Sequence, residues 1–375
     1  MTTHIGLRGP GDVLAVLPYQ LGYHPRRSVV ALALEGRRVG LVLRVDLPPE
    51  DHVEPVVRAV VDPLLRNEVR RVLLVGYEDT EDECRPLLMR LVECLEAERV
   101  TVLEVDVVRA GRRYSPVCSQ SCCPVEGEPV PAADAVPAVA ELVALGRAPL
   151  ADRAAVDRLV EPEAVRSAGV AVALADRPRT SARRRRREAV AAWGAVLAPG
   201  RSPGGREPPA VPDAVVAAAV AGLRDIALRD AVIAWLSPTV LPRASLDPVV
   251  LALLERTMPR WAGMGSWPPH PSATADRGNP GERGDPAERD AVLQRVLVLC
   301  RSVPDDRPED AAAVCTLAAH VAWALGEGAQ TRAALDRALR LDPGYRLARL
   351  LARLVEHGIR LDRRLPGGRQ LGRAG

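Results

Sequence analysis

Ser28-Val-Val-Ala-Leu-Ala-Leu34, Glu35-Gly-Arg37, Val39-Gly-Leu-Val-Leu-Arg-Val-Asp46: an apolar run, a turn and a second apolar run decide how this chain begins. The first run is apolar without alternation, which suits a strand covered on both faces. The turn brings the second run back as a hairpin partner. Such a hairpin needs helices around it, and the flanking sequence supplies them. Asp12 to Leu21 reads as a short amphipathic helix, shortened or kinked at Pro18. Between Pro49 and Glu68, apolar residues at Val53, Val56, Val57, Val60, Val61, Leu64 and Leu65 have helical spacing. Arg71-Val-Leu-Leu-Val-Gly76 is a third strand, and Thr80-Glu-Asp-Glu83 has the form of a capping box opening a helix to about Glu98. Val100 to Val108 is a fourth strand, which Ala110-Gly111-Arg112 turns into a short fifth, Arg113 to Val117. The expectation is an α/β N-terminal domain, a mixed sheet flanked by helices.

From Pro131 onward the strand patterns stop. Helical segments are expected near 132–146, 150–160, 162–175, 182–197, 212–236 and 246–258, then 287–302, 308–325, 328–341 and 344–357. Pro199 to Pro212 reads as a loop. Gly263 to Pro286, rich in Gly, Pro, Ser and Asp, reads as a flexible linker. The expected organisation is an α/β domain over 1–130, a helical region over 131–262, a linker over 263–286, a helical bundle over 287–358 and a frayed tail over 359–375. Within the bundle, Ala318 to Gly326 followed by Ala333 to Tyr345 is similar to one tetratricopeptide-type helical hairpin.

Composition excludes several chemistries. The chain has 375 residues and no Phe, and its 51 basic residues are all Arg. Without a lysine amine there is no Schiff base, no lysine-bound pyridoxal phosphate and no P-loop lysine. Asn is limited to Asn67 and Asn279, a bias toward residues with GC-rich codons that explains much of the Arg excess. A net charge of +3 dictates no partner. Met1-Thr-Thr-His4 lacks a signal-peptide pattern, and Ala311 to Gly326, the longest uncharged apolar run, is shorter than the ~18–20 residues that span a bilayer. A reduced, cytoplasmic protein without a membrane partner is expected. The six histidines are scattered, and the signatures of metalloproteases, α/β-hydrolases, P-loop NTPases and Rossmann dehydrogenases are absent.

Three places carry candidate chemistry. Cys118, Cys122 and Cys123 fall in one loop, Tyr114-Ser-Pro-Val-Cys118-Ser-Gln-Ser-Cys122-Cys123-Pro124. Thiolates at short spacing can hold Zn²⁺, with His24 as the fourth ligand, or form a redox pair; small sulfurs can also simply pack a loop. Asp46, Glu78, Asp79 and Asp106 lie at or just past strand ends, the edge where open α/β sheets bind ligands. Arg183 to Arg187 is a run of five arginines, read as an anion-binding patch or as a solvated helix face.

The order of Pro18-Tyr-Gln-Leu-Gly-Tyr-His-Pro25, Arg44-Val-Asp-Leu-Pro48, the Cys118…Cys122-Cys123-Pro124-x-x-Gly127 loop and Trp323…Gly326…Leu335-Asp-Arg-Ala-Leu339…Asp342-Pro-Gly-Tyr345 resembles the domain of unknown function 4192 family. That resemblance implies an actinobacterial source, in keeping with the composition, and transfers no activity, ligand or catalytic residue. The sequence therefore points first to a non-catalytic binding, regulatory or assembly factor with a protein partner. The alternatives are an enzyme using Asp46 and Asp106 with Cys118 or His24, metal- or thiol-dependent, and nucleic-acid binding through the Arg-rich helical half.

Overall fold

The computed structural model describes residues 8–35, 38–118, 123–198, 211–237, 241, 243–259 and 286–359. The linker expected over 263–286 falls almost wholly outside these residues, as do Cys122 and the tail from 360 onward. By its contacts the chain forms two compact units, residues 1–158 with 352–359, and residues 159–351 with 360–375.

The first unit contains a mixed sheet of six strands. Helix α1 (Pro10–Leu21) leads to β1 (Ser28–Glu35) and β2 (Arg38–Asp46); α2 (Val53–Arg66) leads to β3 (Arg71–Tyr77). Helix α3 (Arg85–Ala97) then crosses over to β4 (Thr101–Arg109), followed by β5 (Arg112–Tyr114) and the two-residue β6 (Glu128–Pro129). The strand order is β2-β1-β3-β4-β5-β6. Only β3 and β4 run parallel, as the α3 crossover between them requires; the other neighbours are antiparallel. Helix α4 (Pro137–Ala144) and the single-turn α5 (Arg153–Asp157) complete the unit.

The unbroken apolar run of β1 is explained by its central place. Val29, Ala31 and Ala33 face one core with Val57, Val60, Leu64, Leu88 and Leu91 of α2 and α3. Val30 and Leu32 face the other, with Leu14 and Leu17 of α1. Alternate residues of one strand thus serve two cores. In β4 the register against β3 shifts between Val72 and Leu73, so that Leu103 is the extra residue. This bulge reverses the pleat. Val105 and Val107 therefore turn into the α2/α3 core, and Asp106 onto the α1 face.

Pro18 does not end α1, which runs to Leu21 and closes on Gly22 at φ 80° with the Gly22 N–H bonded to Pro18 O. The Thr80–Glu83 segment does not open α3. Asp82 has φ 62°, and the helix starts only at Arg85. The Glu83 carboxylate instead accepts from the Asp79 N–H at 3.0 Å.

The second unit is helical throughout its described residues: α6 (Ala164–Ala175), α7 (Ala182–Val196), α8 (Asp213–Gly222), α9 (Ile226–Leu236), α10 (Pro248–Thr257), α11 (Pro286–Arg301), α12 (Pro308–Leu325) and α13 (Gly328–Leu341). The last helix, α14 (Arg346–Glu356), ends among residues grouped with the first unit. One helix expected over 212–236 is two, because the Asp225 carboxylate accepts from Leu228 N and caps a new start. Helices α12 and α13 form the expected hairpin, joined at Gly326 with φ 79°. The α/β class with a helical C-terminal half holds.

Arg337, on α13, is 1% exposed. Its guanidinium donates to the carbonyls of Val160, Cys300 and Val303 and to Asp305. The Cys300 carbonyl is in the last turn of α11 and the Val303 carbonyl lies just beyond it, where the chain leaves the helix. One buried guanidinium thus ties three carbonyls and a carboxylate together.

Candidate functional site at the strand ends

Strands β3 and β4 end side by side, and the polar residues there are consecutive with them in sequence. Glu78 follows β3 directly and is 6% exposed. Its carboxylate accepts from the backbone N–H of Cys84 at 3.1 Å, from the Cys84 thiol at 3.0 Å and from Arg109 at 2.7 Å. Burial and the Glu78 carboxylate both push the Cys84 thiol far up, so Cys84 stays protonated and serves as a donor. Arg109 also lies over the Tyr114 ring, 4.4 Å from its centroid. Gly76 permits this corner: a Cβ there would meet the Cys84 sulfur at 2.5 Å.

The bulge in β4 places Asp106, 4% exposed, beside Arg113. Arg113 donates to Asp106 at 2.6 Å, to Glu104 at 2.5 Å and to Glu128 at 3.0 Å. Burial raises the carboxyls of Asp106 and Glu104 above the ordinary range, and Arg113 opposes it. Burial likewise raises the Tyr77 hydroxyl strongly, with a smaller contribution from Asp106.

The remaining strand-end carboxylates are also paired. Asp79 meets Arg26 at 3.6 Å, and exposed Asp46 meets Arg44 at 2.6 Å. Asp46 and Asp106 sit on different strands, β2 and β4, separated in the sheet by β1 and β3. Each has its own arginine.

The cysteine loop leaves β5 and returns as β6. Arg112 holds its far end, donating to the carbonyls of Glu126 at 2.7 Å and Gly127 at 2.6 Å. Gly127 has φ 72° and packs against the Tyr114 ring, a close approach that requires glycine. Cys118 and Cys123 are half-buried, and neither is in a disulfide among the described residues. Cys123 borders a shallow recess with Arg113, Tyr114, Ser115, Pro124 and Glu128, with space for about one water molecule. His24 is exposed; its backbone N–H bonds Leu150 O at 3.0 Å. Among the described residues no three His, Cys, Asp or Glu side chains gather as a metal site, and Cys122 lies outside them.

Of the Arg183–Arg187 run, Arg184 pairs with Glu188, Arg186 with Asp225, and Arg185 bonds Thr180 O. The strand-end acids are legible in the sequence, but the cations that hold them are not. Arg109 and Arg113 are separated from Glu78 and Asp106 along the chain, and only the β4–β5 turn returns Arg113 to Asp106. The alternation of Glu104 and Asp106 on β4, with Arg113 just past the turn, is the signal the sequence offers.

Among the described residues no helix is long and apolar enough to cross a membrane. Comparison with curated proteins and with solved structures returns no match. The model of the family described as Domain of unknown function (DUF4192) matches residues 10–260 and 282–361, and the chain belongs to that family.

Proposed function

We propose that this protein works by binding, as a cytoplasmic regulatory or assembly factor with a protein partner. The observation that supports this reading most is the pairing of the strand-end acids: Glu78 with Arg109, Asp106 with Arg113, Asp79 with Arg26 and Asp46 with Arg44. Acid–base catalysis needs a group that is free to take and return a proton near neutral pH. The buried Glu78 and Asp106 carboxylates are already occupied by guanidinium donors, and Glu78 by a backbone N–H as well, which leaves them little access to a substrate proton. Three of the five arginines in Arg183–Arg187 are engaged internally, which favours a protein partner over nucleic acid.

Capture from native cell extract on the immobilised full-length chain tests this. The expected result is one retained protein that rebinds in purified form at physiological salt. Retention of nucleic acid alone, or of nothing, contradicts the proposal.

The second reading is a zinc site of Cys118, Cys122, Cys123 and His24, favoured by the placement of Cys123 at a recess anchored by Arg112 and Arg113. Elemental analysis of untagged protein decides it. Near-stoichiometric zinc, lost on Cys123→Ser, supports the site; metal-free protein ends it.

A further inference from the structure

The two sides of the sheet are treated differently. On one side, β6 is two residues long and contains Pro129, and the first half of β4 carries the Leu103 bulge and the charged Glu104. Short length, proline, bulges and charge all discourage another strand from pairing there. On the other side β2 runs for nine residues, Arg38–Asp46, without proline. Its irregularity lies near its start, where Gly40 and Leu41 stand opposite Ala33. Residues 42–46 are regular.

The phase of this edge follows from one bond. Leu47 N donates to Arg27 O at 3.0 Å, continuing the β1–β2 register Ser28↔Asp46. Antiparallel strands alternate between residues that face the partner and residues that face away. Leu41, Leu43 and Val45 therefore direct their backbone groups to β1, and Val42, Arg44 and Asp46 direct theirs outward. Among the described residues no backbone bond takes the outward groups of Val42 or Arg44.

We propose that β2 pairs antiparallel with β2 of a second copy of this chain, about a two-fold axis at Leu43. This register sets Val42 opposite the second copy's Arg44, and both present outward N–H and C=O groups. It sets Leu43 opposite itself and Leu41 opposite Val45. All three of these apolar residues pack toward the α2/α3 core, so that core continues across the junction. An axis at Arg44 would oppose like charges, and an axis at Val42 would leave a single outward pair clear of the bulge at Gly40 and Leu41, where the axis at Leu43 leaves two. The Arg44 side chain is tied to Arg26 O at 3.2 Å and to Asp46 at 2.6 Å. The interface is isologous, and its closed two-fold symmetry stops further growth.

Sedimentation velocity on the full-length chain over a series reaching roughly 100 μM tests this, since a strand-sized interface implies micromolar or weaker association. The expected result is a rise from 40.2 kDa toward twice that mass. Val42→Pro removes an outward N–H and leaves the β1–β2 ladder intact; it should stay monomeric with unchanged circular dichroism. Independently, Leu43→Cys should give a disulfide joining the two copies at that position under mild oxidation, mapped by peptide mass spectrometry, because residues opposite each other at the axis are close. A wild-type chain that stays monomeric throughout the series overturns the proposal. So does a dimer that survives Val42→Pro while Leu43→Cys gives no cross-linked product.

Discussion

Glu78 shows how a residue that looks catalytic in sequence serves the fold. It follows a strand, it is acidic, and a cysteine lies six positions away, yet its carboxylate is filled by three donors. Removing one partner of a buried pair leaves the other charge uncompensated. Glu78→Ala should therefore lower stability by about 3 kcal/mol in urea unfolding, with Arg109→Met costing less because that side chain is partly exposed. The double variant should lose less than the sum; strict additivity would show that the pair is uncoupled. Arg337 makes the same argument in the helical unit. Arg337→Lys should not rescue Arg337→Met, because an ammonium cannot reach three carbonyls and a carboxylate as a planar fork does. Recovery of the melting temperature by lysine would refute that account.

His320 carries the pH dependence at this scale. It is 4% exposed on α12, and burial, with Arg229 adding, pushes it down to about 4, against its bond to Thr316 O. The unfolded chain binds the proton more readily, so the contribution is present above pH ~6.5 and lost as pH falls toward 4. Over that window it amounts to about 3 kcal/mol, and His320→Gln should flatten that part of the stability–pH curve. A curve of unchanged slope would refute it. Asp106 acts in the opposite sense. Its raised carboxyl makes ionisation costly, so its contribution improves as pH falls through its folded range.

At the scale of elements, the sequence was most readable where one periodicity decided the matter. The double-sided apolar run at Ser28–Leu34 became β1 between two cores, and Arg71–Gly76 became β3. It was least readable where a single residue interrupts a pattern. Asp82 in the left-handed region delayed α3, and the Asp225 cap divided one helix into α8 and α9. The two-residue β6 has no periodicity, and the Leu103 bulge is a property of pairing, which no local pattern contains. The site was legible by halves for the same reason. The acids end strands and can be found from sequence, whereas Arg109 and Arg113 reach them only through strand pairing. Gly76 is the element-level test of how closely β3 and α3 approach. Gly76→Ala puts a methyl 2.5 Å from the Cys84 sulfur and 2.9 Å from Leu88, and should cost about 1–3 kcal/mol. Adding Cys84→Ala should recover part of that loss; no recovery would place the clash elsewhere.

For the whole molecule, the two units carry their charge in the same way. Bidentate Arg224–Asp310 bonds at 2.8 and 2.6 Å, the Arg337 network and the Glu78 and Asp106 pairs all place arginine on carboxylates within a unit. In a chain whose cations are all arginine, such pairing holds helices and strand ends in place. Under the proposed function, the strand-end carboxylates hold the fold rather than carry out chemistry. Untargeted mass spectrometry of a small-molecule cell extract incubated with the purified full-length protein tests this most directly, with Glu78→Gln and Asp106→Asn in parallel. The expected result is extracts indistinguishable from the protein-free control. A metabolite converted by the wild-type chain and spared by either folded variant would contradict it.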